Sequence, residues 1–411
     1  MRWIWLALLV ACGDNVVPRL EPVTYDLAGT TYESPIFFHD RARDEKCLAV
    51  PWADGATYCT PVLLPVAFLD DACSEPVALG TTGYAPTMFV LGGKRTVRRV
   101  HPVTPRAAPA QYWTSANGTC TGPFTPTADM MWGDLGDELD ESAFVRLYRS
   151  APEGRDRLQV IAYNTLDGLH APRFLHDRDL QVDCVLADGR DRDRVACRPP
   201  DAVEAAYFLD ASCTQPAIAV PGDAPPFARL GCESYARVGT EVTSPLYTAA
   251  GGTCQPQDLP GWHVYPVGDP VELAYATRER HGTGRIQPID DVAGEAHIPD
   301  GLLYDAVLDA DCELSPFDGP ARCLPASTVP TTVYYADEGC TTERDIAVLF
   351  TTACHAAERF AYDTGFRAIG PVVTDPLYVP STGDRCMLQP PAGEPHDVGP
   401  ELPLDTFVPA L

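Results

Sequence analysis

One pattern limits what this chain can fold into more than any other: a cysteine-bearing unit that occurs three times in tandem. The segments FFHDRARDEKC, FLHDRDLQVDC and LLYDAVLDADC end at Cys47, Cys184 and Cys312, and in each an aspartate (Asp40, Asp177, Asp305) stands seven residues before the cysteine. An Asp-Gly pair follows in every copy, Asp54-Gly55, Asp188-Gly189 and Asp318-Gly319, and then a Cys-x-Pro at Cys59, Cys197 and Cys323. An aromatic-x-Asp-x-x-Cys comes next, as FLDDAC, FLDASC and YADEGC, ending at Cys73, Cys213 and Cys340. Four features in one order, about 130 residues apart, are the signature of a repeat architecture.

The correspondence extends on both sides. RLQ at 157–159 and RIQ at 285–287 each begin 27 residues before the first cysteine of their copy, and RLE at 19–21 stands near that place in the first. YWTSANGTC, LYTAAGGTC and LYVPSTGDRC end at Cys120, Cys254 and Cys386, and the copies close on GDELDESAFV, GDPVELAYA and GPELPLDTFV. These phrases set the copies at 18–149, 150–277 and 278–411.

Short apolar or aromatic runs such as LQVIAY, EAAYFLD, TTVYYAD and DIAVLF, separated by Asp-Gly, Gly-Gly and proline, read as β-strands. The 41 prolines also oppose long helices, because proline removes an amide donor and clashes with the preceding turn. One stretch, TACHAAERFAYD at 352–363, has enough alanine to suggest a helix, although its counterpart ARLGCESYARV reads as strand. The expected fold is all-β, with roughly eight strands per copy. Two four-stranded sheets per copy would allow closure as a six-bladed β-propeller-like array. Three consecutive β-sandwich-like domains are the alternative.

The Asp-Gly pairs suit tight hairpins, so Cys47–Cys59, Cys184–Cys197 and Cys312–Cys323 read as staples across them. Cys73 and Cys120 complete the first copy. The second and third copies each carry one more cysteine, Cys232 and Cys354, and so hold five apiece. Full oxidation then requires a bond between these two copies. One arrangement joins Cys213 to Cys232 and Cys340 to Cys354, and leaves Cys254 to meet Cys386. Zinc is a poor competitor, because the chain has no Cys-x-x-Cys.

The chain starts MRWIWLALLVAC, with an apolar run too short to span a roughly 30 Å bilayer core as a helix. It reads as a targeting segment over residues 1–11. Leu9, Val10, Ala11 and Cys12 resemble the lipobox of the bacterial lipoprotein class. That resemblance covers the first dozen residues alone and implies diacylglyceryl attachment to the Cys12 thiol, cleavage before it and acylation of the new terminus. The expectation is a lipid-anchored envelope protein, at the outer membrane, with a short tether over 12–17. The other fourteen cysteines suit an oxidising compartment.

With 57 acidic against 30 basic residues and a formal charge of -27, broad binding to nucleic acid is disfavoured. No HExxH, Gly-x-Ser-x-Gly or phosphate-cradling glycine loop occurs, and no cofactor or metal is implied. His39-Asp40 invites a reactive reading. The third copy has Tyr304 where the first two have His39 and His176, which favours a packing or turn-capping role. Asp70, Asp210 and Asp337, present in all copies, read as turn formers rather than calcium ligands. The unrepeated His263, His281, His297 and His355 are weak catalytic candidates; His281 with Asp290 or Asp291 would need an unidentified serine. The function expected is noncatalytic, binding or structural, with Trp113, Trp132 and Trp262 as contacts for a glycan or envelope protein. A secreted hydrolase is the alternative.

Overall fold

The computed structural model of the protein describes residues 17–61, 66–81, 88–93, 96–116, 119–128, 130–188, 193–250, 253–316, 321–349, 359–363, 365–381 and 386–410. The fold is all-β. Among the described residues there is no α-helix, only two 3-10 turns at Glu141–Ala143 and Leu404–Thr406. Of the stretch read as a possible helix, 352–358 lies outside the described residues and Phe360–Tyr362 is a strand.

Hairpin pairing carries the first staple in each copy; of the Asp-Gly turns, Gly189, Asp318 and Gly319 lie outside the described residues. At Asp54-Gly55 the chain reverses between strands Glu45–Pro51 and Thr57–Pro61, with Gly55 at φ 81°. Ala49 lies opposite Cys59, Leu186 opposite Cys197 and Leu314 opposite Cys323. Each first cysteine is therefore two residues from its partner's register position, and the bonds Cys47–Cys59, Cys184–Cys197 and Cys312–Cys323 cross their strand pairs diagonally.

The second staple follows one rule in all three copies: Cys73–Cys120, Cys213–Cys254 and Cys340–Cys386. This corrects the pairing of Cys213 with Cys232, Cys340 with Cys354 and Cys254 with Cys386. The reason is local. Cys73, Cys213 and Cys340 take left-handed backbone at φ 53°, 53° and 51°, each closing a turn with its amide on the carbonyl of Asp70, Asp210 or Asp337. That turn and the strand bearing the second cysteine recur together, so the partner is the same in each copy. Cys232 is also disulfide-bonded, and Cys354 lies outside the described residues.

The sheets contain seven or eight strands rather than four. Among the described residues, two of the five sheets join strands of two copies across a seam. Strand Arg146–Arg149 pairs with Thr57–Pro61 of its own copy and with Leu158–Asn164 of the next. Tyr275–Arg280 likewise pairs with Arg194–Arg198 on one side and Ile286–Ala293 on the other. Each copy adds a further sheet from its second half; in the third, Glu343–Leu349 pairs with both Glu394–Glu401 and Thr328–Tyr335.

The chain divides into two compact units, one holding residues up to Val23, Ser34–Ser150 and Ala162–Ala171, the other holding Thr24–Glu33, Ala151–Ile161 and Pro172 onward. The first unit contains one stapled core: Leu20, Phe38, Cys47, Cys59 and Leu147 of copy one, with Leu169 and Ala171 from the opening hairpin of copy two. The second unit contains two cores of the same kind. One joins Leu158, Leu175, Cys184, Cys197 and Ala276 to Ala296 and Ile298 of copy three. The other joins Ile286, Leu303, Cys312, Cys323 and Val408 to Leu27 and Tyr32, which belong to the opening hairpin of copy one.

Every stapled core is thus finished by the hairpin of another copy, in the succession one–two, two–three, three–one. Polar contacts at the hairpin tips repeat it. The Arg19 amide donates to Asp167, the Asp156 carboxylate fills the space beside Gly294, and Thr30 Oγ1 lies 3.0 Å from where a Cβ on Gly284 would sit. Gly294 needs its lack of a side chain twice over, since it also adopts φ 62°.

Candidate functional site

The aspartates that precede the first cysteines are buried ion-pair partners of the arginines that open each copy. Arg19 donates from Nε and Nη2 to Asp40 at 2.7 and 2.6 Å, Arg157 to Asp177 at 3.0 and 2.8 Å, and Arg285 to Asp305 at 3.0 and 2.8 Å. The carboxylate side chains are 2%, 0% and 0% exposed. In each case Nη2 also donates to a carbonyl of the copy's closing segment: Ala143, Glu272 or Thr406. The aspartate also accepts the amide two residues on, from Ala42, Asp179 or Val307. This fork-on-fork pairing gives a buried carboxylate the multiple donors it needs.

Next to this clamp, His39 bonds Glu21 Oε1 through Nδ1 at 3.0 Å and Asp44 Oδ1 through Nε2 at 3.1 Å. Tyr304, in the same place in copy three, donates to Asp309 Oδ1 at 2.6 Å, and His176 Nδ1 reaches Asp183 at 3.0 Å. All three rings reach carboxylates close by, which is why imidazole and phenol interchange. The hydrogen bond that His39 donates to Glu21 raises the His39 pKa, while Arg41 and then His39 pull Glu21 down to about 2.

The second repeated set, Asp70, Asp210 and Asp337, accepts amide and hydroxyl hydrogens from the four or five residues that follow: Ser74 and Glu75; Ser212, Thr214 and Gln215; Gly339, Thr341 and Thr342. These bonds lower all three pKa values. The Ser74 and Ser212 hydroxyls act first on Asp70 and Asp210, and the Thr341 amide acts first on Asp337, which is held at about 2. Among the described residues no group of three His, Cys, Asp or Glu is arranged to hold a metal.

Where the copies differ, one buried polar cluster stands out. Arg278, 8% exposed, lies 2.8 Å from Asp300, 3.7 Å from Asp291 and 3.8 Å from Asp311. Asp291 is the register partner of Arg278 across strands Tyr275–Arg280 and Ile286–Ala293. Six residues after the opening arginine, copies one and two have Tyr25 and Tyr163 in place of Asp291; five residues before the clamp aspartate they have Pro35 and Pro172 in place of Asp300. Tyr32 donates to the Asp300 carbonyl at 3.2 Å, and burial with the nearby Asp300 charge pushes its phenol well above the usual range. The guanidinium occupies the centre of the carboxylates, so the cluster already contains its cation. Sequence reading missed Asp300 and Arg278; the signal available was their departure from the repeat.

The other predicted residues are dispersed. His281 Nε2 lies 3.1 Å from Asp290 Oδ2, not from Asp291, on a strand whose alternation turns Asp291 inward, and no serine hydroxyl bonds the ring among the described residues. His263 pairs with Glu241 at 2.8 Å, and His297 is exposed. Trp132 is 4% exposed and packs edge-on to Tyr112 beside Ala67 and Val77, so its expected role as a ligand contact is corrected to core packing. Trp113 is half-buried beneath Gly122, whereas Trp262 is 43% exposed at a turn. Cys12 and His355 lie outside the described residues.

These features define an all-β repeat protein stapled by six disulfides between described cysteines, a chemistry suited to an exported chain. Among the described residues no helix is long and apolar enough to cross a membrane. The chain belongs to DUF7481, a family of unknown function, which it matches over residues 6–407. No curated protein and no solved structure matches it.

Proposed function

We propose that the protein is a lipid-anchored component of the bacterial cell envelope, at the outer membrane, acylated on Cys12 and serving a binding or structural rather than catalytic role. The observation that carries this reading is the use of the repeated polar groups. Arg19, Arg157 and Arg285 with their aspartates, and Asp70, Asp210 and Asp337 with their turns, bond to one another and to the chain's own backbone. They hold a scaffold in place. Trp262, exposed between Gly261 at φ 81° and His263, offers an aromatic face of the kind that contacts a glycan or an envelope protein.

The test has two parts. Mass analysis of the exported protein should find acyl chains on Cys12, and Cys12→Ser should release the chain from membranes; an unmodified Cys12 in a membrane-free protein defeats the anchor. A glycan and envelope-protein array should give a hit that Trp262→Ala weakens about tenfold or more. The absence of any hit leaves the structural role. The hydrolase reading has one foothold, the copy-specific carboxylates Asp291 and Asp300 beside Arg278. A broad hydrolase screen with turnover abolished by Asp291→Asn would favour it over the binding role.

A further inference from the structure

The tips of the three opening hairpins differ in one respect that follows their place in the chain. They read Ala28-Gly29, Leu166-Asp167-Gly168 and Gly294-Glu295. Only the second presents a large apolar side chain, and Leu166 at 89% is the most exposed large hydrophobic among the described residues. Each tip lies beside the start of another copy. The tip of copy one meets Gly284, that of copy three meets Asp156, and that of copy two meets Arg19, just before the first strand at Leu20.

We propose that the Leu166 tip docks on the lipid surface next to the anchor. This rests on acylation at Cys12, the reading given above. The Arg19 amide donates to Asp167 Oδ2 at 2.5 Å, which ties the tip to the point where the tether enters the fold. Val17, two residues before Arg19, is 65% exposed. Cys12 is five residues before Val17, and at full extension that length spans no more than about 18 Å. A lipid-embedded Cys12 therefore keeps Val17 within that distance of the interface, and the Arg19–Asp167 hydrogen bond puts the Leu166 tip on the same side of the fold. The charged groups around this entry are Arg41 and Glu21, His39 between Glu21 and Asp44, and Asp167, with Arg19 already neutralised by Asp40. Their acidic balance suits a zwitterionic rather than an anionic headgroup layer.

The experiment uses the full acylated protein in phosphatidylcholine vesicles, with flotation and intact mass confirming attachment. Hydrogen exchange of the amides at 165–168 should slow at least threefold on vesicles relative to detergent micelles, and acylated Leu166→Ser, still floating, should lose that protection. In vesicles of dibrominated lipid, Leu166→Trp should show added emission quenched at least twofold relative to unbrominated vesicles. A protein that floats while its tip amides, and the added emission of the Leu166→Trp variant, are unchanged overturns the docking and leaves the anchor standing. A protein without acyl groups that fails to float overturns both.

Discussion

At the scale of single residues, the question is how three carboxylates survive full burial. Asp177 does so because Arg157 meets it with two nitrogens while the Asp179 and Leu180 amides donate to the same carboxylate. Removing one partner of such a pair leaves a buried charge and costs roughly 3–5 kcal/mol, whereas replacing both partners with apolar groups is far milder. Arg157→Met should therefore lower stability by about 3 kcal/mol in urea denaturation, with much of the loss recovered when Asp177→Leu is added. Equal losses in the single and double variants would contradict the clamp.

His39 supplies the pH dependence. Its folded pKa is raised above the ordinary value of 6.5, chiefly by Glu21. A raised pKa means that protonation stabilises the fold below the unfolded value, and that this contribution disappears as pH rises through the folded value. Imidazole NMR titration should place His39 above 6.5, and Glu21→Gln should move it down. His39→Tyr, which reproduces Tyr304 of copy three, should change stability by less than about 1 kcal/mol.

At the scale of elements, the hairpins and their first staples were legible because Asp-Gly and Cys-x-Pro have local consequences that a linear sequence displays. The second staples were half legible. Cysteine parity demands a bond between copies two and three, but it does not say which cysteine supplies it, and the turn that fixes Cys213 and Cys340 depends on φ values of 53° and 51° that sequence does not show. The same limit hid the Arg278 cluster, whose members come from separate strands and meet only through register. With Cys213–Cys254 and Cys340–Cys386 formed, and Cys232 bonded, the cysteines left are Cys12, for which acylation is proposed, and Cys354. Non-reducing peptide mapping should join Cys232 to Cys354; a peptide pairing Cys254 with Cys386 would contradict the assignment.

At the scale of the molecule, the copies depend on one another. The sequence announced three units of similar length, and that similarity suggested either blades or beads. Neither picture anticipates that strand pairing runs through the seams, or that Leu27 and Tyr32 of copy one are buried at 0% and 5% against Ile286, Leu303 and the Cys312–Cys323 staple of copy three. Lending a hairpin to another copy's core is a property of tertiary packing, and the apolar alternation that makes a strand does not name its partner.

Hydrogen exchange on Leu27→Ala tests this dependence most directly. Leucine-to-alanine changes in a core cost about 2–5 kcal/mol, and the loss should appear as faster exchange in Ile286–Ala293 and across the strands Ala310–Pro316 and Ala321–Pro325 of copy three, more than 250 residues along the chain. Faster exchange confined to residues 20–61, with copy three unchanged, would contradict the shared cores.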